Sequence, residues 1–152
     1  MESFHRPSWD EYFISITLEV AKRSTCLRRQ VGAILVKDKI ILSTGYNGAV
    51  KGLPHCKDSG CLREKNNIVK GTHHELCSGL HAEQNAILFS SKMGENLEGA
   101  TLYSTNFPCS ICAKMLIQVG IKKIVYLEDY PDDLSKKLFS YTDIEIIKFS
   151  KP

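Results

Sequence analysis

Nowhere in the sequence do about eighteen apolar residues run together, the length that a membrane-spanning helix requires. The first residues, MESFHRPSWDEY, mix acid with base and lack the apolar run of a secretory leader, so a cytoplasmic protein without membrane contact is expected. Net charge is scarce as well: 20 Lys and Arg against 17 Asp and Glu leave +3. The basic residues are spread along the chain, which gives no case for a nucleic-acid partner and makes any anion site a local one. Internal repeats and low-complexity tracts are also missing.

At 152 residues, 43% hydrophobic and 24% charged, the chain can bury one proper core, so a single domain over 1–152 is expected. Its six cysteines, in a reducing compartment, read as thiols or metal ligands rather than a disulfide framework.

Ser8 followed by Glu11 is a capping-box signature, and Trp9, Phe13, Ile16 and Val20 fall at helical spacing, predicting an amphipathic helix to about Ser24. Val31–Lys37 and Lys39–Gly45 are rich in β-branched residues and read as a tight hairpin about Asp38. From Tyr46 to Gly79 runs a long segment with one proline, little periodicity and three of the cysteines. A segment of that length in a compact domain is either functional or held by something other than a core. Beyond it come a helix from His81 to Met93, strand ATLYST, a helix from Cys109 to Val119, strand KKIVYLE, a short helix after Pro131 and strand IEIIKF. That alternation implies parallel crossovers and a layered α/β/α sheet.

The chemistry concentrates in two short stretches. Leu80–Leu88 reads LHAEQNAIL, and Thr105–Cys112 reads TNFPCSIC. His81, Cys109 and Cys112 form the three-ligand set of a catalytic zinc whose fourth position stays open. Cys109 and Cys112, spaced i, i+3 at a helix start, share a face, and the positive helix end favours the thiolates that bind metal. In a regular helix His81 and Glu83 point apart, so they converge only if His81 sits at the helix entrance. Glu83 would then serve a metal-activated water as general acid and base. Taken singly, such a His is more often a cap and such a Cys pair a redox couple or clip; together, His-Ala-Glu and Pro-Cys-x-x-Cys at two helix starts match a zinc-deaminase signature.

On these motifs, and on STCLRRQVGAILVK, STGYNG, HELCSGLHAEQNAI, GATLY, PCSICAKMLI, GIKKIVY and DYPD, the chain resembles the deoxycytidylate (dCMP) deaminases of the cytidine and deoxycytidylate deaminase superfamily, including late-competence proteins similar to them. The resemblance covers most of Ser24 to Asp133. It implies a three-layer α/β/α fold with a five-stranded mixed sheet, hydrolysis of dCMP to dUMP and ammonia, homo-oligomers, often hexamers, and control by dCTP as activator and dTTP as inhibitor.

Zinc chemistry alone does not choose the substrate. A monophosphate needs a cationic recess, and Arg28 and Arg29, between the first helix and first strand, are candidate forks, Arg28 preferred. The resemblance implies a ribose contact for Asn47, although Asn-Gly is also a strong turn signal, and it places Ala82 and Tyr126 on the substrate side. It further implies a structural zinc, with ligands at Cys26 and Cys56; His74 and Cys77, one helical turn apart, would complete the set, with His73 and Cys61 as alternatives. Such a site would tie the 46–79 insertion to the sheet. Two other readings stand beside this one: a tRNA adenosine deaminase, which shares the zinc motif, and a noncatalytic zinc-scaffolded binding module.

Overall fold

The computed structural model describes residues 3–150; Met1, Glu2, Lys151 and Pro152, part of the expected 1–152 unit, lie outside the described residues. Helix α1 (Trp9–Ala21) opens with the expected capping box: Glu11 N–H donates to Ser8 Oγ at 3.2 Å and Ser8 N–H to the Glu11 carboxylate at 2.6 Å. The helix presents Phe13, Ile14, Thr17 and Ala21 to the sheet, rotated from the expected stripe so that Trp9 stays 47% exposed. Gly32 of the first strand faces this helix at close range. A Cβ there would overlap Thr17 O and lie 2.7 Å from Ala21 N, so only glycine lets α1 approach so closely.

Strands β1 (Gly32–Lys37) and β2 (Ile40–Tyr46) form the hairpin. Its loop is Asp38–Lys39, with φ of 51° and 64° at the two residues, the signature of a type I′ turn. Lys39 therefore belongs to the turn and not, as expected, to the second strand. After the inserted segment come α4 (Ala82–Lys92), β5 (Thr101–Asn106), α5 (Ser110–Gln118), β6 (Lys123–Glu128), α6 (Asp133–Ser140) and β7 (Glu145–Lys148).

The five strands run in the order β2-β1-β5-β6-β7. β1 is antiparallel to both neighbours, whereas β5, β6 and β7 are parallel, so the sheet is mixed as expected. Successive residues of the central strands feed two cores, as the two-residue period of a strand demands. Ala33, Leu35, Leu102 and Ile124 pack under α4, α5 and α6 with Ala86, Leu116 and Phe139. Ile34, Val36, Tyr103 and Val125 face α1 through Phe13 and Ile14. Burial on both faces explains the nearly unbroken apolar run of β1. No helix among the described residues is long and apolar enough to cross a membrane.

The inserted segment carries more local structure than its sequence suggests. A two-residue strand, β3 (Gly48–Ala49), pairs antiparallel with β4 (Gly79–Leu80) and fastens the two ends of the segment together. Between them lie two single-turn helices, α2 (Cys56–Ser59) and α3 (Leu62–Lys65), and a 3-10 turn at His74–Leu76.

Candidate active site

The site forms where two helices begin beside the carboxyl end of β5, the position at which parallel α/β sheets hold their ligands. His81 is the N-cap of α4, with an extended backbone (φ −71°, ψ 157°), and its N–H is held by the Gln84 side chain at 2.8 Å. Cys109 is the N-cap of α5, and Cys112 lies on the first turn. The His81 ring can thus turn back toward the sulfurs: Nδ1 is 3.3 Å from Cys109 Sγ and 3.4 Å from Cys112 Sγ. Among the described residues this is the only set of three or more metal-ligating side chains whose ligand atoms all lie within 4.8 Å of one another.

The donor set suits zinc: one imidazole nitrogen and two sulfurs, with no fourth protein ligand gathered among the described residues. Cys109 is primed as a thiolate, its pKa drawn down to about 4 by hydrogen bonding from the Cys112 thiol and then from His81, against the opposing effect of burial. Cys112 moves the other way, raised first by that same shared proton and then by burial. For His81, burial works against the charged ring, but hydrogen bonding and charge from Cys109, then the charge of Glu83, raise its pKa overall.

Glu83, on the first turn of α4, is 4% exposed. Burial pushes its carboxyl up from the usual range. Ser104 Oγ donates to Oε1 at 3.1 Å, while Oε2 lies 3.6 Å from Cys112 Sγ. The carboxylate therefore stands against the metal-ligating trio, because His81 occupies the helix entrance as the sequence requires.

The packing of α4 fixes this entrance. A Cβ at Gly45 of β2 would overlap Ala82 O and sit 2.5 Å from Ala86 N. Asn85 Nδ2 also donates to Tyr46 O at 2.8 Å. On the other side, Asp132 accepts from Ser110 N–H at 2.8 Å and from Ser135 N–H at 3.0 Å, joining the cysteine-bearing α5 to α6.

A cavity opens onto Glu83 and His81, and Arg28, Asn47, Ala82, His74 and Tyr130 are among the residues that line it. Asn47 uses both ends of its amide on the loop before β1: Oδ1 accepts from Val31 N–H and Nδ2 donates to Arg29 O, each at 2.8 Å. Its observed role is to staple that loop. Arg28 is deeply set, with Nη2 on Ile68 O at 2.7 Å.

Tyr126 is not among the residues lining this cavity. Its ring packs edge-on against Phe107 and its hydroxyl donates to Asp129 at 3.2 Å, since the end of β6 turns it toward the Phe107 side. Tyr130, four residues on in the loop before α6, takes the lining position, with Arg29 lying 5.1 Å over its ring. An aromatic beside proline just past a parallel strand was the signal for it.

The second metal set is not gathered as expected. The His74 ring stacks edge-on against His81 with centroids 4.9 Å apart, and its Nε2 is 3.4 Å from the Tyr130 hydroxyl. Cys26 and Cys77 are half-buried, and Cys56 and Cys61 are buried. Burial first, and then the neighbouring charges of Cys26, Cys61 and Cys77, raise the Cys56 thiol. Sequence reasoning also missed Arg63, which reaches the same cavity from α3.

The cytidine and deoxycytidylate deaminase zinc-binding region matches residues 7–128. The chain belongs to that family. It is 44% identical over 125 residues to ComE operon protein 2 of Bacillus subtilis (strain 168), covering 82% of this chain and 62% of that protein. It is 43% identical over 126 residues to the deoxycytidylate deaminase of Mycobacterium phage D29, covering 80% and 95%. The dCMP deaminase of cyanophage S-TIM5, solved with dCMP and dUMP, superposes with a TM-score of 0.79 at 29% identity, over 96% of this chain and all of that one. The chain spans about half the length of the two yeast deoxycytidylate deaminases it matches, from Saccharomyces cerevisiae and Schizosaccharomyces pombe. Within the family, the three expected metal ligands and the carboxylate stand together in this chain.

Proposed function

We propose that the protein is a zinc-dependent deaminase that hydrolyses dCMP to dUMP and ammonia, supplying dUMP for thymidylate synthesis. The reading rests most on the juxtaposition of His81, Cys109 and Cys112 with a buried carboxylate that is not one of the three ligands. A purely structural zinc site has no use for such a group. The relationship to deoxycytidylate deaminases over most of the chain supports the choice of substrate.

His81 Nδ1 and the sulfurs of Cys109 and Cys112 would hold the metal. When bound, zinc supplies a water acidified enough to act as a nucleophile near neutral pH. Glu83 would take a proton from such a water on Oε2, the oxygen not engaged by Ser104, and pass it to ring N3 as the oxygen bonds to C4 of the cytosine. Glu83 would then carry the proton of the new C4 hydroxyl to the amino nitrogen, so that the C4–N bond breaks and ammonia departs, leaving the uracil carbonyl beside a protonated N3. Desolvation, which raises the affinity of Glu83 for protons, suits it to this relay. In this reading Arg28 receives the phosphate and Asn47 and Ala82 border the sugar and base, a reading supported by their shared place on the cavity wall.

The same reading includes one deaminase domain with a Cys/His-bearing insertion at about 46–79, in a cytoplasmic homo-oligomer, hexamer favoured, activated by dCTP and inhibited by dTTP. It also includes a structural zinc on Cys26, Cys56 and Cys77, with Cys61 replacing His74 as fourth ligand because His74 faces His81. Two zinc ions per chain, falling to one in Cys56→Ser, supports that site; one in both removes it.

Ammonia release from dCMP, dCTP, cytidine, deoxycytidine and a tRNA anticodon stem tests the function. The proposal predicts dCMP as the preferred substrate. Preference for the tRNA stem, or release from none of the five, overturns it.

A further inference from the structure

The cavity above Glu83 is strongly unbalanced in charge. Arg28, Arg29, Arg63 and Lys70 line it, and Glu83 is the one carboxylate among the lining residues. A chain with a nearly neutral surface has thus collected cations at one place, two of them from the inserted segment.

Arg63 is the most deeply set of the four, at 8% exposure. Its Nη2 makes only a long 3.5 Å contact with Val69 O, and its Nε is buried without a partner. Arg28 lines the same cavity and bonds the neighbouring carbonyl of the segment. Nη2 of Arg28 is spent on Ile68 O, while its Nε and Nη1 are buried and unpartnered; the Glu64 carboxylate stands 3.7 Å from Nε and is half exposed. Ile68 and Val69 are consecutive, so the two guanidinium groups hang from one turn of the segment. Like charges and unmet N–H groups in so buried a place call for an anion between them. A residue serving only to staple the segment would not leave its nitrogens unspent.

We propose that Arg63, paired with Arg28, is the specificity-determining clamp for the 5′-phosphomonoester of the substrate. The inserted segment, rather than the zinc-holding helices, would then select nucleotide over nucleoside. Planar guanidinium forks match a phosphate dianion in both charge and geometry. The identity of the ester rests on the deaminase reading, whereas the anion site itself does not.

The test compares zinc-loaded wild type with Arg63→Gln and Arg63→Lys, measuring kcat/KM for dCMP and for deoxycytidine. The dCMP-to-deoxycytidine ratio should fall by about 10- to 100-fold in Arg63→Gln, mainly through KM for dCMP, the range expected for losing a hydrogen bond to a charged group. Arg63→Lys, which keeps the charge and loses the fork, should fall between the two and carries the test if the Gln variant does not fold. An unchanged ratio in both variants overturns the clamp. A second arm reads binding alone: inorganic phosphate and dUMP should raise the melting temperature of the wild type, and each shift should shrink in the variants. Inorganic phosphate should also raise KM for dCMP by competition. A wild type that no phosphate stabilises, or that phosphate stabilises without competing, overturns the proposal. If the wild type deaminates nothing, the deaminase reading fails while the stabilisation arm still judges the anion site.

Discussion

The Ser104 hydroxyl donates to Glu83 Oε1 across 3.1 Å, and both residues are buried. The strand that leads to Cys109 therefore also aims the carboxylate, leaving its other oxygen toward the metal ligands. Ser104→Ala should lower kcat about 10- to 100-fold with little change in KM, because hydrogen bonds to charged groups contribute about 1.5–3 kcal/mol and the substrate does not touch Ser104 in this account. Steady-state kinetics on dCMP check this, and a loss confined to KM contradicts it.

Gly45 is the contact point between β2 and the first turn of α4. Gly45→Val should destabilise the fold by about 1–3 kcal/mol, the usual cost of overpacking, and weaken zinc binding, since the turn pushed aside carries His81 and Glu83. Melting temperature and zinc content after dialysis measure both effects. An unaltered melting temperature would show that α4 yields without cost.

Asp132 caps α6 and accepts the Ser110 N–H at the start of α5. Burial opposes its charge, but the backbone donors of Ser135 and Ser110 outweigh burial and leave its pKa below the usual carboxylate range. A depressed folded-state pKa stabilises the fold above the unfolded value, near 3.9, and that contribution is lost as the pH falls through the folded value. Asp132→Ala should thus cost about 1–2 kcal/mol between pH 5 and 8, with the difference from wild type closing below about pH 4. Denaturant unfolding at several pH values tests it; a gap that persists in acid contradicts the assignment.

The zinc trio and its carboxylate were legible because each half is a short motif at a helix start, where three or four residues fix the geometry. The sheet was legible too, since β1, β5 and β6 alternate between two cores. Sequence patterns failed where distant residues decide. Whether Arg63 is a solvated charge or a buried one depends on how Cys56–Leu80 folds back, which is settled in part by Arg28 reaching Ile68, 40 residues away. His74 was assigned by its spacing to Cys77, but the turn at His74–Leu76 directs its ring to His81 instead. Tyr126 lies within β6 and Tyr130 beyond its end, so it is the course of the loop after the strand that brings Tyr130 to the cavity. Lys39 closes the hairpin with a left-handed backbone that is unusual for a lysine and that its side chain does not signal.

The central claim is that Glu83 moves protons beside a zinc ion it does not hold. Zinc content and dCMP turnover of Glu83→Gln, measured on one preparation, test it most directly. The account predicts an undiminished zinc content in the trio site and a turnover lower by about a hundredfold to ten-thousandfold. Turnover at the wild-type level with zinc retained, or loss of the zinc itself, would contradict it.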